Sequence, residues 1–530
     1  MAATDLSVTW TYDPSHYPEP MSPLSADVWF WAMGEGIRAA ARELRAPFGG
    51  FETTTWGGGW AYEHEVEPDW QPDAAHFERA ALEVAERWER ELRPRAEEIT
   101  AEIRRLRPER PRPEEAVALL DRLVELTSEQ WRLHFLTVIP VHVARELVHD
   151  AYVERLGKED DLEPYRLLEG LPNETLAADE RLWAVARLAL ELDVADAILE
   201  LPPRAALARL HETHHGRRIL LELAAYADRY GGRSRLHELS EPRVAERPEL
   251  ALETVRLFLE QPRDLPAERA AKAEERTRFE RETLARLEDP GERRAFAQLL
   301  ERCKAAVPLE ETHAYSIDYP GLAAVREALL GFGRRLVAEA RLDDPEDVFM
   351  LRRDELRAAL FDAWGAGLGP LVAERRAELA AARRSEPPSF LGPPPEARED
   401  VPPMVAKFYG VPGTARMEGD VLHGTAAAAG RARGRARVVR DADDFGRVEP
   451  GDVAIVRTTT PAWTPLFASI AGLVTDTGGI LCHAAVVARE YSIPAVVGAE
   501  VATTTIPDGA RVEVDGTAGT VTILRGTPSA

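Results

Sequence analysis

Lysine is almost missing from this 530-residue chain, which holds only Lys158, Lys272, Lys304 and Lys407 against abundant arginine. That imbalance is a codon-usage signature and carries no mechanism. The 66 basic side chains are outnumbered by 91 acidic ones, giving a formal charge of −25. No basic field exists to gather phosphates over distance, so neither nucleic acid nor an anionic membrane is expected as a partner. An anionic substrate would need a local arginine cluster. The two cysteines, Cys303 and Cys482, form neither a disulfide framework nor a zinc spacing. The chain has no long uncharged apolar run, and its first residues lack a basic stretch followed by an apolar one, so a cytoplasmic location is expected. A G-x-x-x-x-G-K-[ST] phosphate loop is also absent.

What is present suits two or three domains, with 45% hydrophobic residues to fill their cores. Residues 1–70 are rich in proline and aromatics and read as an irregular opening segment. Prolines exclude a helix until about Leu24, where Ser25 or Asp27 would cap one. Trp56-Gly-Gly-Gly-Trp60 reads either as a substrate loop or as a turn anchored by its tryptophans. From about Ala74 to Arg384 apolar residues recur at helical spacing, broken by prolines into helices of ordinary length. The expected fold is therefore multidomain, α plus α/β. A large, mainly α-helical domain spans 1–385, a Pro-rich linker spans 386–420, and short β runs over 421–526 form a compact β/β/α domain.

One motif in the helical region is a decoy. His211-Glu-Thr-His-His215 fits H-E-x-x-H, whose histidines would face one way on a helix and bind zinc. No third ligand follows at a suitable spacing, so no metal and no peptidase activity are expected.

The chemistry concentrates in residues 475–498, TDTGGILCHAAVVAREYSIPAVVG. A polar turn through Gly478 and Gly479 leads into a short helix starting near Cys482, with His483 in its first turn. An imidazole there is a competent nucleophile beside helix-start N–H groups suited to a phosphoryl group. The hydroxyls of Thr475 and Thr477, with Arg489, are further candidates for stabilising the arriving charge.

This stretch resembles the phosphohistidine signature of the phosphoenolpyruvate-utilising enzymes: phosphoenolpyruvate synthase, pyruvate phosphate dikinase and the rifampicin phosphotransferases. The words TTTPAWTPLF at 458–467, AGLVTDTGG at 471–479, GTAAAAG at 424–430 and GRARVV at 434–439 resemble the same family. Leu481, where the synthases and dikinases have Thr or Asn, is similar to the rifampicin-phosphotransferase branch. The resemblance implies a swivelling domain whose His483 is transiently phosphorylated. Further words extend it through the helical region: RYGGRS at 229–234, EPRVAE at 241–246, EETHAYSID at 310–318 and DPEDVFML at 344–351. They imply a small-molecule acceptor domain in which Arg233 meets phosphate charge and Glu311 or His313 takes the acceptor's proton. Gly232 stands where some members have histidine, so that residue's role does not transfer. Neither an ATP-grasp domain nor a pyruvate-binding barrel is legible. The expectation is a phosphotransferase, or its phosphohistidine subunit, with no tightly bound cofactor. A separate ATP-grasp protein would supply ATP and Mg2+ chemistry. The rival reading is a small-molecule-binding or scaffold protein that keeps the fold without turnover.

Overall fold

The computed structural model describes residues 4–14, 16–109, 112–157, 162–234, 236–260, 263–361, 367–394, 403–411, 413–440, 442–459 and 463–524. Lys158, Pro262, the centre of the proline-rich linker (395–402), residues 460–462 of the TTTPAWTPLF word and residues 525–526 lie outside the described residues. The chain divides into two compact units. One comprises residues 1–141, 236–242 and 309–398, and the other residues 142–235, 243–308 and 399–530.

In the first unit the described residues of the opening segment form regular strands and a helix, which corrects the expectation of an irregular start. Strands Trp10–Tyr12, Phe51–Trp56, Trp60–Glu65 and Phe390–Leu391 make an antiparallel sheet. Trp56 pairs with Trp60, so the glycine triplet is the turn of a hairpin. A continuous helix runs through Pro23–Ser25, a wider turn Ala26–Phe30 and Trp31–Glu43. It begins earlier than expected because Pro23 sits at a first-turn position, where its missing N–H costs nothing. Ser25 and Asp27 therefore lie inside the helix and do not cap it. Asp27 instead accepts the backbone N–H of Arg353 at 3.0 Å and Arg352 Nη1 at 3.1 Å, at the start of helix Arg353–Leu360. Phe390–Leu391 pairs with Trp10 and Thr11, which places the first residues of the expected linker in this sheet.

The 44-residue helix Pro113–Leu156 exceeds the ordinary lengths expected, and Pro140 lies inside it without ending it. Other helices start where side chains satisfy first-turn donors: Asn173, Thr213, Asp264 and Asp289 each accept a backbone N–H there. The cap at Thr213 decides the fate of the H-E-x-x-H motif. Helix Pro203–Glu212 stops before it and His214–Tyr230 starts after it, so His211 and His215 are on different helices.

In the second unit, the C-terminal strands form a sheet ordered 416–418, 421–423, 520–524, 511–515, 431–439, 453–456, 472–475, 495–497, 425–428. Strand Arg431–Val439 pairs antiparallel with Arg511–Asp515 through its first half and parallel with Val453–Val456 through its second. One strand thereby joins the antiparallel and the parallel parts of the sheet. The central strands VAIV and AVV are wholly buried. Both faces are covered, so they read as unbroken apolar runs rather than alternating ones.

Candidate active site

His483 opens the helix His483–Glu490, with half-buried Cys482 at its N-cap. The preceding turn follows the carboxyl end of strand Gly472–Thr475, which pairs in parallel with Val453–Val456. Thr459 lies just past the carboxyl end of that neighbour. Adjacent parallel strands thus deliver both residues to one end of the sheet, where open α/β folds place ligands. Thr459 Oγ1 is 3.1 Å from His483 Nδ1. The Phe467 ring stands edge-on to the imidazole, with centroids 6.5 Å apart. Neither partner was singled out from sequence. The TTTPAWTPLF word contains both, but spacing alone does not show which of its hydroxyls reaches the imidazole.

The two glycines are fixed by space. Gly478 has φ +98°, and a Cβ there would fall 2.6 Å from Cys482 Sγ. A Cβ on Gly479 would lie 2.3 Å from the Lys407 carbonyl oxygen. That carbonyl belongs to helix Pro403–Tyr409, whose end closes over the turn. Gly479 N donates to Phe408 O and Leu481 N to Lys407 O, each at 2.8 Å. Lys407 Nζ is itself anchored on Glu146 at 2.6 Å.

The other expected phosphoryl-stabilising groups have main-chain partners here. Thr475 Oγ1 donates to Thr477 O at 2.6 Å and Thr477 Oγ1 to Arg457 O at 3.1 Å. Arg489 is buried and donates to Ala427 O and Ile480 O, both at 2.8 Å. Through these bonds Thr475, Thr477 and Arg489 brace the turn.

The same unit holds this end of the chain against helical segments. Tyr491 Oη donates to Asp179 Oδ2 at 2.8 Å, and Arg233 Nη1 lies 3.7 Å from Asp179 Oδ1. Arg263 reaches the carbonyls of Phe467, Ala468 and Tyr491 at 3.3–3.4 Å. The backbone N–H of Gly170 points at both oxygens of Glu490 at 3.1 Å. Burial, with the nearby Glu169 charge, pushes the Glu490 carboxyl up to about 7.

The acceptor candidates divide between the units. Arg233 belongs to the second, bonds Tyr226 Oη at 3.1 Å and lines a cavity of about 410 Å³ with Ser234, Arg256 and Phe445. Glu311 and His313 belong to the first, in the consecutive turns Leu309–Thr312 and His313–Tyr315. His313 is buried, with Nδ1 2.8 Å from Leu309 O. Among the described residues no helix is long and apolar enough to cross a membrane.

Residues 448–519 match the mobile domain of PEP-utilising enzymes, and residues 134–311 match the rifampicin phosphotransferase fourth domain. The chain is 35% identical to the chondramide synthase cmdD of Chondromyces crocatus, over 98% of this chain and 14% of that protein. It is 30% identical to the uncharacterized phosphotransferase YvkC of Bacillus subtilis, over 78% of this chain and 49% of that protein. A rifampicin phosphotransferase of a Streptomyces species is 35% identical over 66% of this chain and 41% of its own. The chain spans less than half the length of each of these relatives. The segment that holds His483 is thus a mobile domain of the PEP-utilising enzyme family, and the segment that holds Arg233 is a rifampicin phosphotransferase fourth domain.

Proposed function

We propose that this chain carries a phosphoryl group on His483 and delivers it to a small molecule. The observation that carries the reading is the imidazole at a helix start, steadied through Nδ1 by Thr459 at 3.1 Å. In the tautomer in which Nδ1–H donates to Thr459 Oγ1, Nε2 keeps its lone pair and is the attacking nitrogen. Its attack on a donor phosphorus forms the N–P bond and breaks the bond to the leaving oxygen. In the second half-reaction an acceptor oxygen attacks the same phosphorus. The N–P bond then breaks, and a base takes the acceptor's proton. An ATP-grasp domain outside these 530 residues, expected as a separate protein, charges His483, and ATP and Mg2+ act there. Arg233 and its cavity in the matched fourth domain are the proposed acceptor subsite, where a guanidinium would meet phosphate charge.

The test is labelling. Incubated with a matching ATP-grasp partner and ATP, the chain should acquire one acid-labile, base-stable phosphate, absent from His483→Ala. Label that survives His483→Ala would place the nucleophile elsewhere and overturn the reading.

A further inference from the structure

His134, His313 and Asp318 lie in the first unit, distinct from His483 and from the H-E-x-x-H motif. His134 Nδ1 is 2.9 Å from Asp318 Oδ1, His313 Nε2 is 3.2 Å from Asp318 Oδ2, and the two imidazole nitrogens are 3.1 Å apart. We propose that these three residues bind one divalent transition-metal cation, Zn2+ being the simplest probe.

The tautomer is the first argument. The Leu309 carbonyl can only accept a hydrogen bond, so His313 Nδ1, 2.8 Å away, carries a proton. In the neutral ring Nε2 is then a lone pair, and it faces a second imidazole nitrogen and a carboxylate oxygen. A backbone carbonyl that fixes one ring nitrogen while the other points inward is the usual support of a metal-binding histidine. The convergence of the ligand atoms is the second argument. The two imidazole nitrogens lie 3.1 Å apart, with one Asp318 oxygen 2.9 Å from the first and the other 3.2 Å from the second. One ion about 2.0–2.2 Å from both nitrogens and from a carboxylate oxygen sets ligand separations of about 3 Å. Two nitrogens and one carboxylate oxygen suit first-row divalent cations, and three protein ligands leave positions for water or an oxygen-bearing ligand.

The scaffold is rigid. His134 lies within helix Pro113–Leu156, with its ring edge-on to Trp131 at 4.9 Å, and Asp318 is the first residue of helix Asp318–Ala338. Gln130, one turn before His134, donates to the Ile317 carbonyl at 3.0 Å and holds the chain just ahead of Asp318. More carboxylates stand close by. Asp13, hydrogen-bonded to His16 at 2.9 Å, and Glu63 are buried, and both His16 and Tyr17 feel the Asp318 charge as well as theirs.

The experiment uses the full chain, stripped with chelator and dialysed. Zn2+ titration by calorimetry, metal analysis and the visible spectrum of the Co2+-loaded protein are read together. The expected result is one saturable Zn2+ per chain, a Co2+ spectrum of mixed nitrogen and oxygen ligation, and a raised melting temperature on loading. His313→Gln and Asp318→Asn should each weaken Zn2+ binding by more than about 100-fold, beyond the loss typical of an outer-shell change. The His211→Ala, His215→Ala double variant should bind as the parent does. Melting in chelator reports whether each variant folds, and His134→Gln replaces one that does not. Absence of saturable binding, binding that survives folded ligand variants, or binding lost in the His211, His215 variant would each overturn the proposal. None of these readouts depends on phosphoryl transfer, so the fate of His483 labelling leaves the outcome untouched.

Discussion

If the carrier is to serve two chemical steps, the hydrogen bond from Tyr491 to Asp179 should act as a latch that opens between them. Tyr491 follows the His483 helix directly. Its ring is 6.2 Å from that of Phe467, the residue edge-on to His483. Both latch partners are buried, at 6% and 1% exposure, and the bond is 2.8 Å long. Tyr491→Phe removes only the hydroxyl. It takes a hydrogen bond from a buried carboxylate, a loss of about 1.5–3 kcal/mol. Where that loss falls on docking rather than on global folding, the ratio of closed to released carrier drops by about 10- to 150-fold. The assay is amide hydrogen exchange resolved by segment. Exchange in residues 483–491 and 176–190 should accelerate in Tyr491→Phe, while the hairpin 511–515/520–524 keeps the parent rate. Unchanged exchange at the latch would refute the reasoning. Equal acceleration in the hairpin would also refute it, because the loss would then have fallen on the whole fold.

Thr459→Val should slow His483 phosphorylation by about tenfold, the worth of one hydrogen bond that orients the ring, and nitrogen NMR should show a mixture of imidazole tautomers. Gly479→Ala should destabilise the chain by about 1–3 kcal/mol through overpacking against the Lys407 carbonyl, read as a lower melting temperature. Glu490 titrates near 7 when packed, above the ordinary value of 4.5, so its neutral form favours the docked state. Docking should be tightest below about 4.5 and loosen as pH rises through about 7, and Glu490→Gln should remove that dependence from segment-resolved exchange.

The mobile domain was legible because its histidine and its backbone demands fall on one continuous word. Gly478 and Gly479 are needed where Cys482 and the Lys407 carbonyl crowd the turn, and the apolar runs VAIV and AVV are continuous because both their faces are covered. Burial on two faces leaves a mark that survives in sequence. The division into units did not survive. Residues 236–242 and 309–398 belong with the first 141, a grouping made by contacts far apart in the chain that no local composition records. The opening segment was misread for a related reason: strand Trp10–Tyr12 is short and gains its partners from residues 60–65 and 390–391. His134 and Asp318, 184 positions apart, carried no mutual signal before folding. Thr475, Thr477 and Arg489 suited phosphate by type, and nothing local in the sequence showed that in the fold each donates to a nearby carbonyl.

The turn before His483 ties the linker to the chemistry. Gly479 N and Leu481 N, donors aimed from a glycine turn at a helix start, are taken by the carbonyls of Phe408 and Lys407. Each N–H has one proton to give, so a phosphoryl oxygen and the end of helix Pro403–Tyr409 compete for the same two bonds. A carrier that uses those donors must first lift that helix, which means breaking the 2.6 Å pair between Lys407 and Glu146. Between Leu391, held in the first unit's sheet, and Pro403 lie roughly 11 residues, which span at most about 36–40 Å when extended. With helix Pro403–Tyr409 released as well, the reach grows by its own length. If His483 carries a phosphoryl group as proposed, the linker would limit how far it travels and, through two carbonyls, when the turn's donors are exposed. Release of the tether and opening of the site would then be one event.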